Sequence, residues 1–172
     1  MIEVTHDPVE APALGQRLAV LRGGGIEQVG PPAELYSRPR TRTVATAFGG
    51  PPMNLADAVV AGDDGRLALH TPVGWALALP AGRSVEPGRA VTVGVRPEHI
   101  MARVGDKDGL VALGDWAVTR AEPRGPAWLL TVARPGLSWQ AWWPERPAAE
   151  RLPLAVPADV FYLFDGITGE IV

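Results

Sequence analysis

The chain has 172 residues, 47% of them hydrophobic, with 20 glycines, 18 prolines and a formal net charge of -3. That is enough apolar content for a buried core, and the frequent Gly and Pro punctuate it against long helices. There is no cysteine, which excludes disulfides and thiolate metal sites, and the mild acidity argues against a phosphate-backbone partner such as nucleic acid.

No apolar run approaches the ~18 residues of a membrane-spanning helix, and the acidic N-terminus lacks the apolar stretch of a secretory signal. A cytoplasmic protein is expected. Lys107 is the single lysine, against 15 arginines. A phosphate-binding loop needs a lysine between a glycine and a Ser or Thr. Lys107 lies between Asp106 and Asp108, so the chain carries no such loop.

In chain order, residues 1–49 read as mixed α/β. Ile2-Glu3-Val4-Thr5 is β-prone and leads into His6 and Asp7. Asp7 is a good N-cap with Pro8 at the first helical position, which predicts a helix through Val9, Ala13 and Leu14 towards Leu18. Pro12 falls one turn inside it, where it costs a backbone donor. LAVL (18–21) and IEQVG (26–30) flank RGGG, a hairpin signal. PPAELYSRP reads as a short helix opened by Pro32 and closed before Pro39, and TRTVATAF (41–48) as another.

Composition shifts at GGPP (49–52). Beyond it, short β-type runs recur: DAVVA (57–61), RLALH (66–70), WALAL (75–79), AVTVGV (90–95), GLVALG (109–114), WAVTRAE (116–122), AWLLTVA (127–133), SWQAWW (138–143), LPLAV (152–156) and VFYLF (160–164). Short strands at this spacing predict a barrel or sandwich, with a hairpin at RLALH-TPVG-WALAL. The fold class is therefore α+β, mostly β.

Three stretches carry most of the chemical information. EVTHDPVEA by itself reads as a strand followed by a capped helix, with His6 incidental. VGVRPEHI (93–100) is a β-run broken by Pro97, with Arg96, Glu98 and His99 at the strand end. By itself it reads as an Arg–Glu pair at a surface turn, worth little as an exposed salt bridge. FYLFDGITGEIV closes the chain.

Together these stretches resemble a known family. EVTHDPVEA, LAVLRGGGIEQVGPPAELYSRP and FGGPPMN in order resemble the C-terminal part of the ATP-binding subunits of ABC importers, most closely the carbohydrate-importer class of the maltose and glycerol-phosphate type. VGVRPEHI resembles the G-[IV]-R-P-E-H run of the accessory β-domain in that class. FYLFDGITGEIV resembles its closing F-D-x-x-T-G turn. The resemblance runs nearly end to end and is weakest over 56–90 and 103–158. Pro8, Pro12, Gln16, Gly23 and Gly25 depart from the family's usual residues.

The resemblance implies two domains. Residues 1–49 would be the C-terminal remnant of an ABC ATPase domain, and 50–172 a regulatory, transport-associated OB-type β-barrel. His6 would match the switch histidine that contacts the γ-phosphate of ATP. The phosphate loop, signature and Walker B acids lie upstream in the family and are absent here, where phosphoryl transfer needs them. The chain alone would then be no enzyme and would bind no cofactor, ATP and Mg²⁺ belonging to an intact parent whose upstream half was trimmed or lost. In the family, the barrel pairs two subunits and in some members receives a regulatory protein.

A homodimer is therefore expected, held through a patch at Trp139, Trp142 and Trp143. It would work with membrane permease subunits, at the inner face of the cell membrane. Because related barrels bind molybdate-like oxyanions, an oxyanion-binding module is the alternative. A nucleic-acid binder on the same barrel ranks third. GDKDG (105–109) reads as a polar hairpin turn, and His6, His70 and His99 lack metal-ligand spacing.

Overall fold

The computed structural model describes residues 2–63, 66–70, 76–78, 85–103 and 109–172. The expected strand at Ile2–Thr5 does not form. No strand edge among the described residues runs beside it to accept its ladder hydrogen bonds, and Ile2 and Val4 stand 94% and 90% exposed. Asp7 does cap the chain that follows: its Oδ1 accepts from the amides of Val9 (2.7 Å) and Glu10 (3.1 Å). What it caps is a turn, and the helix proper, α1, is only Ala11–Leu14. Starting later places Pro12 in the first turn, where its missing N–H is not needed. The expected cost of Pro12 is thereby avoided, and the helix is short instead of long.

The hairpin forms as expected from β1 (Leu18–Arg22) and β2 (Gly25–Gly30). Gly23 and Gly24 turn it with φ of 56° and 85°, the two successive positive values that a two-residue turn matching strand twist requires. The helices α2 (Pro32–Ser37) and α3 (Arg42–Ala47) follow. Thr41 Oγ1 caps α3 by accepting from Val44 N at 3.2 Å. Val20, Leu35, Val44 and Phe48 make a small core of their own.

The remaining strands are β3 (Asn54–Asp63), β4 (Arg66–His70), β5 (Ala76–Ala78), β6 (Ala90–Val95), β7 (Met101–Ala102), β8 (Leu110–Arg124), β9 (Ala127–Arg134), β10 (Leu137–Trp143), β11 (Arg151–Pro157) and β12 (Tyr162–Asp165). They build two five-stranded antiparallel sheets, ordered β10-β9-β8-β11-β7 and β12-β6-β3-β4-β5. Val91, Val93 and Val95 of one sheet share a core with Trp116, Leu130, Val132 and Trp139 of the other. GLVALG and WAVTRAE are one strand rather than two. Gly114 (φ 78°) makes a bulge there, where the register against β11 skips between Leu154 and Ala155. The expected RLALH/WALAL hairpin pairs as β4 and β5. The 71–75 link between them and most of GDKDG lie outside the described residues.

Where the sheets meet at β3 and β10, a side chain replaces the ladder. Asn54 Nδ2 donates to Gln140 O (2.8 Å) while its Oδ1 accepts from Gln140 N (2.7 Å), so one amide imitates a strand rung. Asn54 is 7% exposed, and removing it would leave both Gln140 backbone groups without partners. Asn54→Ala should therefore cost about 2–3 kcal/mol in urea unfolding. A loss below ~0.5 kcal/mol would mean that the seam is held by packing alone.

The closing turn is built by one carboxylate. Asp165 Oδ1 accepts from the amides of Ile167 (2.9 Å) and Thr168 (2.8 Å), and Oδ2 receives Arg89 Nη2 at 2.9 Å. The Thr168 amide and the Arg89 guanidinium hold the Asp165 carboxyl at about 2, well below the usual range. Among the described residues no helix is long and apolar enough to cross a membrane.

Candidate functional site at the Arg96 junction

Strand β6 ends at Val95 because Pro97 cannot continue the ladder, and Pro97–His99 curl into a single 3₁₀ turn. This turns the side chain of Arg96 inward, away from solvent. Arg96 is 0% exposed, so the reading of a surface Arg–Glu pair is overturned. Its Nη1 donates to Ala45 O (2.9 Å) and Phe48 O (3.1 Å), and its Nη2 to Tyr36 O (2.7 Å). Those carbonyls lie at the C-terminal ends of α3 and α2, where a helix has acceptors with no internal partner and a partial negative charge. One guanidinium thus caps two helices. The fixed fork of arginine can reach several carbonyls at once, which the point charge of lysine cannot.

Arg96 also lies over the Tyr36 ring, 3.8 Å from its centroid, and 5.9 Å from that of Tyr162. The Tyr36 hydroxyl donates to Glu98 Oε1, so Glu98 serves the tyrosine of α2. Burial and this bond push the Tyr36 phenol pKa up, which keeps it a donor. Burial pulls the Arg96 pKa below the ordinary arginine value. Further bonds fasten the same seam: Tyr162 Oη to Ser37 O (3.2 Å), Arg42 N to Gly169 O (2.8 Å) and Ile171 N to Arg40 O (2.8 Å). The RPEH stretch is thus the bolt between residues 1–49 and the sheets. Pro97 is buried, and His99 faces a cleft beside it.

The other expected site residues are scattered. His6 is exposed, and it lines an apolar groove of about 790 Å³ together with Ile2, Val4, Leu14, Leu18 and Phe48. His99 lines a different cleft. Trp139 cannot belong to a surface patch. It is 1% exposed, stacks on Trp116 with centroids 5.1 Å apart, and donates Nε1–H to Leu55 O at 3.1 Å. Strand alternation puts Trp139 and Ala141 on the core face, while Trp142 and Trp143 are half-buried near the end of β10. Sequence reasoning missed Tyr36 and Tyr162. The available signal was an aromatic in each of AELYSRP and FYLFD, since buried arginines favour aromatic faces.

Residues 49–100 match the MalK OB fold domain family. The chain is 42% identical, over an alignment of 173 positions that covers 97% of it, to the sn-glycerol-3-phosphate import ATP-binding protein UgpC of Salmonella typhi. The UgpC proteins of Chromohalobacter salexigens and Burkholderia mallei are 37% and 34% identical over 95% and 98% of the chain. The chain spans about half the length of these curated relatives, 46% for the Salmonella typhi protein. Among solved structures it is similar in fold to the cytoplasmic molybdate-binding protein ModG, with a TM-score of 0.51, 14% identity, and coverage of 64% of this chain and 94% of that one. At that identity the likeness carries the fold alone. Matching residues along nearly the whole chain and an OB fold domain bolted to a helical segment lead to one conclusion: residues 49–100 match the MalK OB fold domain, and the chain as a whole is similar to UgpC-type import ATP-binding proteins over about half their length.

Proposed function

We propose that this chain is the regulatory and dimerisation portion of an importer's ATP-binding subunit, for glycerol phosphate or a sugar. The observation that best supports this is the Arg96 bolt. A barrel fastened to the ends of α2 and α3 moves as one body with the segment that precedes it, so a contact between two barrels would hold two ATPase halves in reach of each other. Tethering of this kind raises their effective concentration through an opening and closing cycle. A two-fold contact needs a self-complementary patch, for which Trp142 remains the candidate, since Trp143 packs against the core on the face of Trp139 and Ala141. We place the boundary between the ATPase-derived part and the barrel at residues 49 and 50.

His6 has a phosphate role only beside a phosphate loop and acid-held Mg²⁺, and the chain alone does not turn over ATP. Its expected surroundings are the cytoplasmic face of the membrane, against permease subunits. The test combines two measurements on the isolated chain. Sedimentation at micromolar concentration is expected to give a dimer, and a clean monomer would remove the tethering role. ATP hydrolysis is expected at background, and turnover above it would overturn the non-catalytic reading.

A further inference from the structure

We propose that the cleft between residues 37–40 and the turn at Asp159–Tyr162 that leads into β12 binds a small phosphate monoester. The cleft has a volume of about 430 Å³ and is lined by Arg38, Arg40 and His99, with Val160, Phe161 and Ile171 as an apolar wall. The cationic side chains here are unspent. Several other guanidiniums are committed: Arg42 to Thr92, Arg89 to Asp165, Arg96 to helix-end carbonyls. Among the described residues, neither the Arg38 nor the Arg40 guanidinium has a hydrogen-bond or ion-pair partner, and both are exposed. His99 Nδ1 also has no partner, but it is shut off from solvent, so the two arginines carry the recognition. Asp159 is the one carboxylate lining the cleft. Two arginines against one aspartate leave the cleft positive without counting His99.

The backbone that presents the arginines is held in advance. Gln28, 5% exposed, donates Nε2–H to Arg38 O (3.1 Å) and accepts from Arg40 N (2.9 Å). Ile171 N binds Arg40 O at 2.8 Å. A rigid frame lowers the ordering cost of binding to the two long side chains alone. Two guanidinium forks can both close on the three terminal oxygens of a phosphate, which also carries more negative charge at neutral pH than a carboxylate. The cleft is larger than a bare phosphate ion needs, and its apolar wall suits a short organic body. This inference does not depend on the importer reading, because it concerns binding to the isolated chain.

Calorimetry on the 172-residue chain tests it, with sn-glycerol 3-phosphate, inorganic phosphate and glycerol as probes. The expected order is saturable heat for the ester, weaker binding of inorganic phosphate, and none of glycerol. The R38A/R40A double variant should bind the ester at least about tenfold more weakly, as expected for lost bonds to a charged group. Both side chains are exposed, so its thermal midpoint should match the parent. R17A, at an exposed arginine of the other groove, should bind as the parent does. The proposal falls if neither phosphate gives saturable heat, if the double variant binds unchanged, or if R17A weakens binding equally. Inorganic phosphate binding as tightly as the ester would overturn the assignment to a monoester.

Discussion

Arg96→Met should lower the unfolding free energy by about 3–5 kcal/mol, a large part of the ~5–15 kcal/mol that holds a typical domain. Methionine fills part of the volume but donates nothing. The carbonyls of Tyr36, Ala45 and Phe48 would then be buried acceptors without donors at three points. The stacking over Tyr36 would be lost as well. Arg96→Lys keeps the charge but not the fork, and should cost roughly half as much. Urea denaturation reads both effects. If the Met variant lost under ~1 kcal/mol, the guanidinium would not be the bolt between the helical segment and the sheets. The loss should be accompanied by earlier release of α2 and α3, visible as faster amide exchange there than in β8 and β9.

Trp139→Ala should cost about 3–5 kcal/mol, the usual range for emptying a large aromatic from a core. The side chain is 1% exposed, stacked on Trp116, and hydrogen-bonded to Leu55 across the seam beside Asn54. Trp139→Phe keeps most of the volume but loses that bond, and should cost about 1–2 kcal/mol. Trp142→Ala, at a half-buried position, should stay near or below ~1 kcal/mol. The contrast separates core from interface. An interface role for Trp139 predicts weaker dimerisation at unchanged monomer stability, and that outcome would overturn its placement in the core.

Much of the fold was legible because local rules decide it. Two prolines at 31–32 and one at 39 bound α2, Thr41 caps α3, and the Gly23-Gly24 pair sets the hairpin. Alternating runs bounded by Gly and Pro located the strands. Where local signals competed, the reading failed. Gly114 followed by Asp115 looks the same as a turn or as a bulge, and only the register against β11 distinguishes them. A β-prone stretch such as Ile2–Thr5 carries no information on whether a partner strand lies beside it.

The candidate site shows the same division. Sequence alone determined that Arg96, Glu98 and His99 emerge together after β6, because Pro97 stops the strand. It also determined the kinship of the chain, through motifs spread along its length. Only the tertiary structure decided which way Arg96 points and what it binds. Its acceptors are backbone carbonyls 48 to 60 residues away, and a carbonyl has no residue type to leave a mark in the sequence. The same reason hid Trp139. A tryptophan within a strand suits a surface patch or a core equally, and the choice rests on which face of β10 the opposite sheet covers.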